Sequence, residues 1–255
     1  MPSSWTRFHG YVQSRSARWF FRRPLAIRTP QPLISFTFDD FPRSAWLAGG
    51  DILTRHGLAA TYYVSLGLLG KDAPTGRIAA LEDLPKVLEQ GHELGCHTFG
   101  HCDSWATATR AFEESVEQNH AALQRMVPGA DFRTFSYPIS PPRPATKARM
   151  ATRFQCCRGG GQTFNRATAD LNHLAAYFLE KTRHDAQAVK DVIDHNRQAR
   201  GWLILATHDI SDSPTPFGCT PEFFRTVVQY AVDSGALILP VVNALQALRA
   251  VPAHN

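Results

Sequence analysis

The stretch LISFTFDD, residues 33–40, contains the transition that decides the fold. Six residues rich in Leu, Ile and Phe predict a buried strand, and two carboxylates, Asp39 and Asp40, follow it directly. Two other apolar segments end in the same way: residues 93–96 run into His97, and residues 202–206 run towards His208. Because parallel strands of a barrel end on one face, we expect these side chains to converge there.

Apolar segments alternate with helical patterns along most of the remaining chain. Strands are predicted at residues 33–38, 59–64, 93–96, 132–137, 154–157, 174–179, 202–206 and 236–241. Helices are predicted at residues 46–55, 81–90, 107–126, 144–153, 186–200, 221–233 (with Thr220 as its N-cap) and 244–249. This order predicts an α/β fold, a single-domain irregular (β/α) barrel with seven or eight parallel strands, and an open doubly wound sheet is the alternative. The barrel is expected to be irregular because residues 158–170 read as a long loop where a helix would normally follow.

The chain divides into a basic aromatic N-terminal arm, residues 1–32, and a barrel domain, residues 33–255. The chain has 27 Lys and Arg residues and 22 Asp and Glu residues, and six of the arginines lie within residues 1–28, which contain no acid. The rest of the chain is therefore close to neutral, which argues against a nucleic-acid partner. The arm is expected to pack its aromatic side chains against the domain, with an organelle transit signal or membrane-surface attachment as alternatives. Those aromatic residues are Trp5, Phe8, Tyr11, Trp19, Phe20 and Phe21.

Apolar runs and cysteine spacing indicate the class of protein and its compartment. No apolar run approaches the roughly 18 to 20 residues that a membrane span needs, so no transmembrane segment is expected. The five cysteines form no C-x-x-C pair, and their odd number argues against a disulfide framework. We therefore expect reduced thiols in a cytoplasmic protein. The sequence leaves the oligomeric state open.

The polar residues at the predicted strand ends suit hydrolytic metal chemistry. Two imidazoles and one carboxylate are a sufficient ligand set for a catalytic zinc-type site. A second carboxylate beside the ion could take a proton from water, and a histidine opposite could protonate a departing amine. Each motif alone is more typical of a turn, a helix cap or a structural histidine, and it is their joint placement that favours a site.

Three motifs, TFDD at residues 37–40, HTFGH at 97–101 and LATH at 205–208, together resemble the polysaccharide-deacetylase family (carbohydrate esterase family four). The resemblance extends over residues 33–248 and implies a role for each matching residue. By this resemblance Asp39 is the catalytic base, Asp40, His97 and His101 are metal ligands, Leu205 lines an acyl pocket and His208 is the general acid.

The third family motif departs from its usual form. Residues 135–140 read FSYPIS, so Tyr137, Pro138 and Ile139 take the substrate-binding positions of the family pattern. The backbone N–H of Ile139 is expected to help hold an oxyanion, a role that needs no particular side chain. Ser136 stands where the family carries the arginine that braces the base.

Arg158, at the end of the strand predicted over residues 154–157, could fill that place, and Arg133 is a less favoured candidate. The alternative is that Arg158 is a surface residue before a loop. The tryptophan-lined fourth motif is also missing, and Asn165, Asp170 and Asn172 occupy that stretch. This difference bears on the substrate more than on the reaction.

The resemblance implies a metal-dependent hydrolase that removes an N-acetyl group from an amino sugar or a glycoconjugate. The expected cofactor is a divalent ion, zinc first, with cobalt, nickel or manganese as alternatives. Two other functions remain open at this stage. The chain could hydrolyse a small non-sugar amide or cyclic imide, or it could be a non-catalytic carbohydrate-binding pseudoenzyme.

Overall fold

The computed structural model describes the backbone of residues 4–251 and the side chains of residues 11–251. Strands are β1 Pro24–Ala26, β2 Leu33–Phe38, β3 Thr61–Val64, β4 Asp72–Ala73, β5 Gly76–Arg77, β6 Glu93–Cys96, β7 Thr134–Ser136, β8 Cys156–Arg158, β9 Thr168–Asp170, β10 Tyr177–Phe178, β11 Trp202–Thr207 and β12 Leu237–Ile238. Helices are α1 Ser4–Trp19, α2 Asp51–Thr54, α3 Asp83–Glu89, α4 Thr109–Met126, α5 Pro144–Met150, α6 Ala186–Ala199, α7 Pro221–Asp233 and α8 Val241–Ala250. None of the helices within residues 4–251 combines the length and apolarity that a membrane crossing requires.

The central sheet is parallel and curled, which confirms the predicted α/β barrel class. Its strand order is β10-β11-β2-β3-β6-β7-β8, and β12 pairs with the first half of β2. The two ends of this order approach each other. Leu174 forms a β-bridge with Arg158 of β8, and the strand β10 begins three residues after Leu174. The barrel is irregular, as predicted: residues 159–176 connect its two ends through loops and the short strand β9 instead of a helix.

Local sequence signals located many elements correctly. The strand β6 and the helix α7 have the predicted bounds, and the Thr220 side chain caps α7 by accepting a hydrogen bond from the Phe223 N–H. The strand predicted at 236–241 is shorter, because Pro240 ends it and becomes the N-cap position of α8.

The helix predicted at residues 46–55 begins instead as a π-helix, Ala45–Gly50, which continues into α2. A Cβ at Gly49 would lie 2.9 Å from the Phe38 ring, and one at Gly50 would lie 2.9 Å from the Tyr62 hydroxyl. This tight approach to the barrel strands requires glycine at both positions.

The aromatic side chains of the arm that the structure describes do not pack against the barrel, and for these residues the prediction was wrong. Tyr11, Trp19, Phe20 and Phe21 are all exposed, Trp19 by 71%. The side chains of Trp5 and Phe8 lie outside the described residues. The arm instead attaches through a short antiparallel pairing of β1 with β9 and through polar contacts.

The strongest of these polar contacts is made by Lys147 of α5, which is fully buried. Its ammonium donates to the carbonyl oxygens of Ala17 and Phe20 at 2.6 and 2.8 Å, and to the Asp170 carboxylate at 2.5 Å. All three donors of the ammonium are thus satisfied, and α1 is fixed to the barrel by its carboxyl end. Ile27 of the arm is also buried in the core, whereas the rings of Tyr11, Trp19, Phe20 and Phe21 remain exposed.

We predict that Lys147→Ala destabilises the fold by about 3–5 kcal/mol, because it leaves the buried Asp170 carboxylate without its cation. Urea unfolding followed by circular dichroism measures this loss. Lys86→Ala, an exposed lysine of α3, is the control and should change stability by less than about 0.5 kcal/mol. In the double variant Lys147→Ala/Asp170→Ala the loss should be well below the sum of the two single losses. Additive losses would contradict the ion-pair assignment.

Candidate active site

The polar side chains that follow the parallel strands meet in one cleft of about 630 Å³, within the range of roughly 300 to 1,000 Å³ that is usual for small-molecule sites. β2 is buried along its whole length, and so is β11. The side chains within these two strands fill the core. The side chains that reach the cleft therefore belong to residues that follow the carboxyl end of each strand. Asp39, Asp40, His97, His101, Tyr137, Ile139 and His208 all line the cleft.

Left-handed backbone conformations are concentrated at this cleft. Asp40, Thr98, His101 and Ile139 have φ values of 61°, 61°, 54° and 63°. Such residues cost of order 1–3 kcal/mol each when they are not glycine, and they persist only where the surroundings enforce them. The chain turns sharply after each strand, and this turn directs the side chains into the cleft. If the strand continued in an extended conformation, the same side chains would lie beyond the cleft.

Asp40, His97 and His101 form a cluster that could hold a metal ion. Their candidate ligand atoms all lie within 4.8 Å of one another. Oδ1 of Asp40 is 3.5 Å from Nε2 of His97 and 3.0 Å from Nε2 of His101. Oδ1 of Asp40 has no geometrically acceptable hydrogen-bond donor among the described residues, so a cation would satisfy it.

The hydrogen bonds around the cluster also suit a metal. Nδ1 of His97 lies 2.8 Å from the Ser136 carbonyl oxygen, which can only accept, so Nδ1 must carry the proton and Nε2 presents its lone pair. The Thr75 hydroxyl donates to Oδ2 of Asp40 at 3.0 Å and orients the carboxylate. The donor set therefore fits a divalent ion such as zinc.

The pKa values of the cluster follow from burial and from the neighbouring charges. Burial lowers the pKa of His97 to about 4, which keeps its imidazole neutral at pH 7. Burial raises the pKa of Asp40, but the adjacent histidines outweigh burial and hold that pKa well below its usual value. Burial lowers the pKa of His101, and the carboxylates of Asp40 and Asp39 outweigh burial and raise it. The carboxylate is thus ionised and one imidazole is neutral, as ligands must be.

Asp39 forms a buried ion pair with Arg158. The Nη2 atom of Arg158 donates to Oδ1 of Asp39 and, at 2.6 Å, to the Ser136 hydroxyl. Burial raises the pKa of Asp39, but the charges of Arg158, His97 and His208 outweigh burial and lower it. The structure thus brings Arg158 to Asp39, whereas Arg133, the alternative, lies before β7.

The guanidinium of Arg158 is enclosed on its other sides. It lies over the rings of Tyr63 and Phe178, with its Cζ 5.1 and 5.4 Å from their centroids, and Nη1 donates to the Gly159 carbonyl oxygen at 2.9 Å. The carboxylate of Asp170 pairs with Lys147 and not with Arg158.

His208 follows β11, the strand that pairs with β2. Its Nδ1 lies 3.2 Å from the Phe217 carbonyl oxygen and must donate to it, so Nε2 is left for another partner. Ile139 lies at the mouth with 71% of its surface exposed, and Tyr137 lines the wall. Pro138 and Leu205 are not among the described residues that line the cleft, and Leu205 is buried in the core cluster.

Several cleft residues were missed by the sequence reasoning. Thr75 lies in the turn between β4 and β5, which Pro74-Thr75-Gly76 could have signalled as a hairpin. Glu180 also lines the cleft, and burial raises its pKa to about 7. Other lining residues, which carry no local sequence signal, are Ser14, Arg18, His173, Lys181 and Phe217.

Comparisons with known proteins agree on one family. A family profile described as polysaccharide deacetylase matches residues 26–153, half of the chain. A chitooligosaccharide deacetylase from Sinorhizobium fredii is 31% identical over 111 residues, which are 43% of this chain and 48% of that protein. The match thus spans about half the length of that curated relative.

Solved structures share the fold. The Xyl-CE4 domain of a multidomain xylanase from the hindgut metagenome of Trinervitermes trinervoides has a TM-score of 0.60 at 18% identity, with 88% of this chain and 95% of that chain covered. A family 4 acetyl xylan esterase from Clostridium thermocellum, in complex with a cobalt ion, has a TM-score of 0.57 at 21% identity, with 86% and 93% covered. At these identities the likeness establishes the fold.

We predict that His101→Ala loses most bound metal, because a three-ligand site rarely keeps its ion with one ligand removed. Elemental analysis of the purified protein measures the metal-to-protein ratio. His195→Ala, an exposed histidine of α6, serves as the control and should keep the wild-type ratio. An unchanged ratio in His101→Ala would exclude this residue as a ligand.

Proposed function

Because the chain belongs to the polysaccharide deacetylase family, we propose that it is a metal-dependent hydrolase that removes an N-acetyl group from an amino sugar or a glycoconjugate. The observation that supports this most directly is the Asp40, His97 and His101 cluster beside the Asp39–Arg158 ion pair. The three ligands would hold a divalent ion, zinc first and cobalt, nickel or manganese as alternatives, next to a carboxylate that is free to act as a base. That ion, when bound, supplies polarisation of the amide carbonyl and acidification of water.

Asp39 is proposed as the general base. Arg158 binds its Oδ1, and among the described residues Oδ2 has no hydrogen-bond donor, so Oδ2 can accept a proton from the attacking water. The lowered pKa keeps this carboxylate ionised, and its position is fixed by the buried guanidinium. Orientation of the base, more than its basicity, is what the ion pair supplies.

His208 is proposed as the general acid. Its Nδ1–H is committed to the Phe217 carbonyl oxygen, so a proton carried on Nε2 can pass to the amine nitrogen as the carbon–nitrogen bond breaks. Acetate and the free amino sugar would then leave. The backbone N–H of Ile139, in the loop that follows β7, is proposed to donate to the developing oxyanion.

The cleft mouth favours a sugar over a small cyclic imide. Ile139 and Phe217 are exposed by 71% and 41% at this mouth, and both line the cleft. Exposed apolar side chains at an open rim suit the apolar ring faces of a sugar.

All five residues that the chemistry needs are present, which argues against a pseudoenzyme. The five cysteines form no disulfide, and this supports a cytoplasmic location.

We predict that Asp39→Asn keeps the metal but lowers kcat by roughly a hundredfold or more, because the amide cannot accept the proton. Turnover is measured on a panel of acetylated amino sugars, small amides and cyclic imides, alongside elemental analysis. Asp209 is next to His208 in the chain but does not line the cleft, so Asp209→Asn serves as a matched control for the loss of a carboxylate. Turnover of a confirmed substrate near the wild-type rate would remove Asp39 from the mechanism, and hydrolysis of imides alone would redirect the substrate assignment.

We predict that Arg158→Gln moves the acid limb of the kcat/KM profile to higher pH. Arg158 lowers the pKa of Asp39, so its removal raises that pKa, and the carboxyl is then protonated over more of the acidic range. Arg158→Lys keeps the positive charge but loses the planar guanidinium with its several N–H donors, and kcat should fall about tenfold or more.

Ser136→Ala is the control for these two variants, because it removes another partner of Arg158 and leaves the ion pair intact. Circular dichroism confirms that the variants fold. An acid limb in Arg158→Gln that coincides with the wild-type limb would show that Arg158 does not act on Asp39.

A further inference from the structure

A second cavity, of about 430 Å³, adjoins the active-site cleft on the side of the N-terminal arm. Arg15, Arg18 and Arg22 line it together with Trp19, Asp170 and His173. Two of these residues, Arg18 and His173, line the active-site cleft as well. The two cavities therefore adjoin each other at these two side chains.

The second cavity carries an uncompensated positive charge. No acidic side chain in the described part of the chain lies within 4.0 Å of the guanidinium groups of Arg15, Arg18 or Arg22, since none of them takes part in a salt bridge. Asp170 is the only acid among the lining residues, and its carboxylate is already bound by the ammonium of Lys147 and by the backbone N–H groups of Arg23 and Asn172. Three exposed arginines thus line the cavity beside a single carboxylate that is already paired, and the guanidinium of Arg15 also donates to the Tyr11 hydroxyl and lies over its ring.

From this arrangement we infer that Arg15, Arg18 and Arg22 form a subsite for a phosphate group carried by the substrate. The inference rests on the proposed function and narrows it to acylated amino sugars that bear a phosphate ester or diphosphate. A single carboxylate would balance only one of the three charges, whereas one phosphate monoester carries about −1.5 to −2 at pH 7. Arginine forks bind phosphate oxygens in pairs, which suits this ligand.

The position of Arg18 sets the orientation of such a substrate. Arg18 belongs to both cavities, so a phosphate bound there leaves the acylamino group on the cleft side, towards Asp39 and the metal cluster. The anchoring of α1 by Lys147 holds the arginines in place relative to the barrel. Trp19, exposed beside them, offers a flat apolar surface for a ring or chain attached to the phosphate.

The first test is binding of inorganic pyrophosphate to the full-length metal-loaded protein, measured by isothermal titration calorimetry. The double variant Arg18→Gln/Arg22→Gln should bind about ten- to a hundredfold more weakly, because two charge-assisted contacts are lost. Arg28→Gln, an exposed arginine of the arm that lines neither cavity, is the control and should bind as the wild type does. Equal binding by wild type and double variant would overturn the inference, and binding lost only in His101→Ala would assign the anion to the metal.

The second test compares kcat/KM for an acetylated amino sugar with and without a phosphate ester. The wild type should prefer the phosphate ester, and the double variant should lose most of that preference through a higher KM. A preference that the double variant retains would contradict the subsite. Should the wild type hydrolyse neither sugar, the proposed function fails, while the calorimetric result still decides the subsite.

Sedimentation with phosphatidylcholine vesicles, with and without phosphatidylglycerol, identifies the source of the phosphate. Arginine-dependent binding to the anionic vesicles assigns it to a lipid headgroup, and pyrophosphate binding without sedimentation assigns it to a soluble ester. Vesicle binding that survives in the double variant, without any pyrophosphate binding, would show an aromatic membrane-docking face in place of the subsite.

Discussion

The ion pair between Arg158 and Asp39 is the interaction on which both the fold and the site depend. Asp39 follows β2 and Arg158 ends β8, and four steps of the strand order separate these strands. In a flat sheet, four steps of about 4.8 Å would hold them roughly 19 Å apart. The hydrogen bond therefore crosses the barrel interior and exists only because the sheet curls. Both side chains are buried, so either charge alone would be costly, and the closed arrangement is the one that neutralises both.

The strand ends could be predicted from sequence because the relevant signals are local. A fully buried strand followed by a charged residue must end where the charge appears, since the charge needs solvent, a partner or an ion. This reasoning located Asp39, Asp40, His97 and His208 at the cleft. It also gave β6 and α7 their bounds, because β6 is buried throughout and α7 begins at a Thr-Pro capping sequence.

Contacts that depend on pairing between distant elements were harder to predict. Arg158 lies directly opposite Ser136 in the register of β7 and β8, so its guanidinium approaches Asp39 at the same level of the barrel as Ser136. The small Ser136 side chain leaves room for that guanidinium and accepts a hydrogen bond from it. The sequence suggested Arg158 from its place at a strand end, but only the register shows why serine and arginine occur together.

The arm shows how composition can mislead. Its aromatic content suggested a face packed on the barrel, whereas a buried lysine holds the arm by its backbone and leaves those rings exposed. Nothing in the local pattern of residues 1–32 marks Lys147 as their partner, because that lysine lies more than a hundred residues away. Burial of a charge, not of the rings, fixes the arm.

Charge is distributed unevenly along the cleft, with negative groups on the floor and positive groups at the rim. The floor carries the carboxylates of Asp39 and Asp40, which lie beside Arg158 and beside the imidazoles of His97 and His101, and the rim carries the exposed Arg18 and Lys181. An anionic group that enters the cleft is attracted by the rim, and where no cation is bound it is repelled by the carboxylate oxygens of the floor. Such a field orients an elongated substrate before any specific contact forms, and within a partly enclosed cleft it is screened less than on an open surface. The arm that supplies Arg18 then belongs to the binding site as much as the barrel does, and the anchoring of α1 by Lys147 becomes part of what determines the substrate.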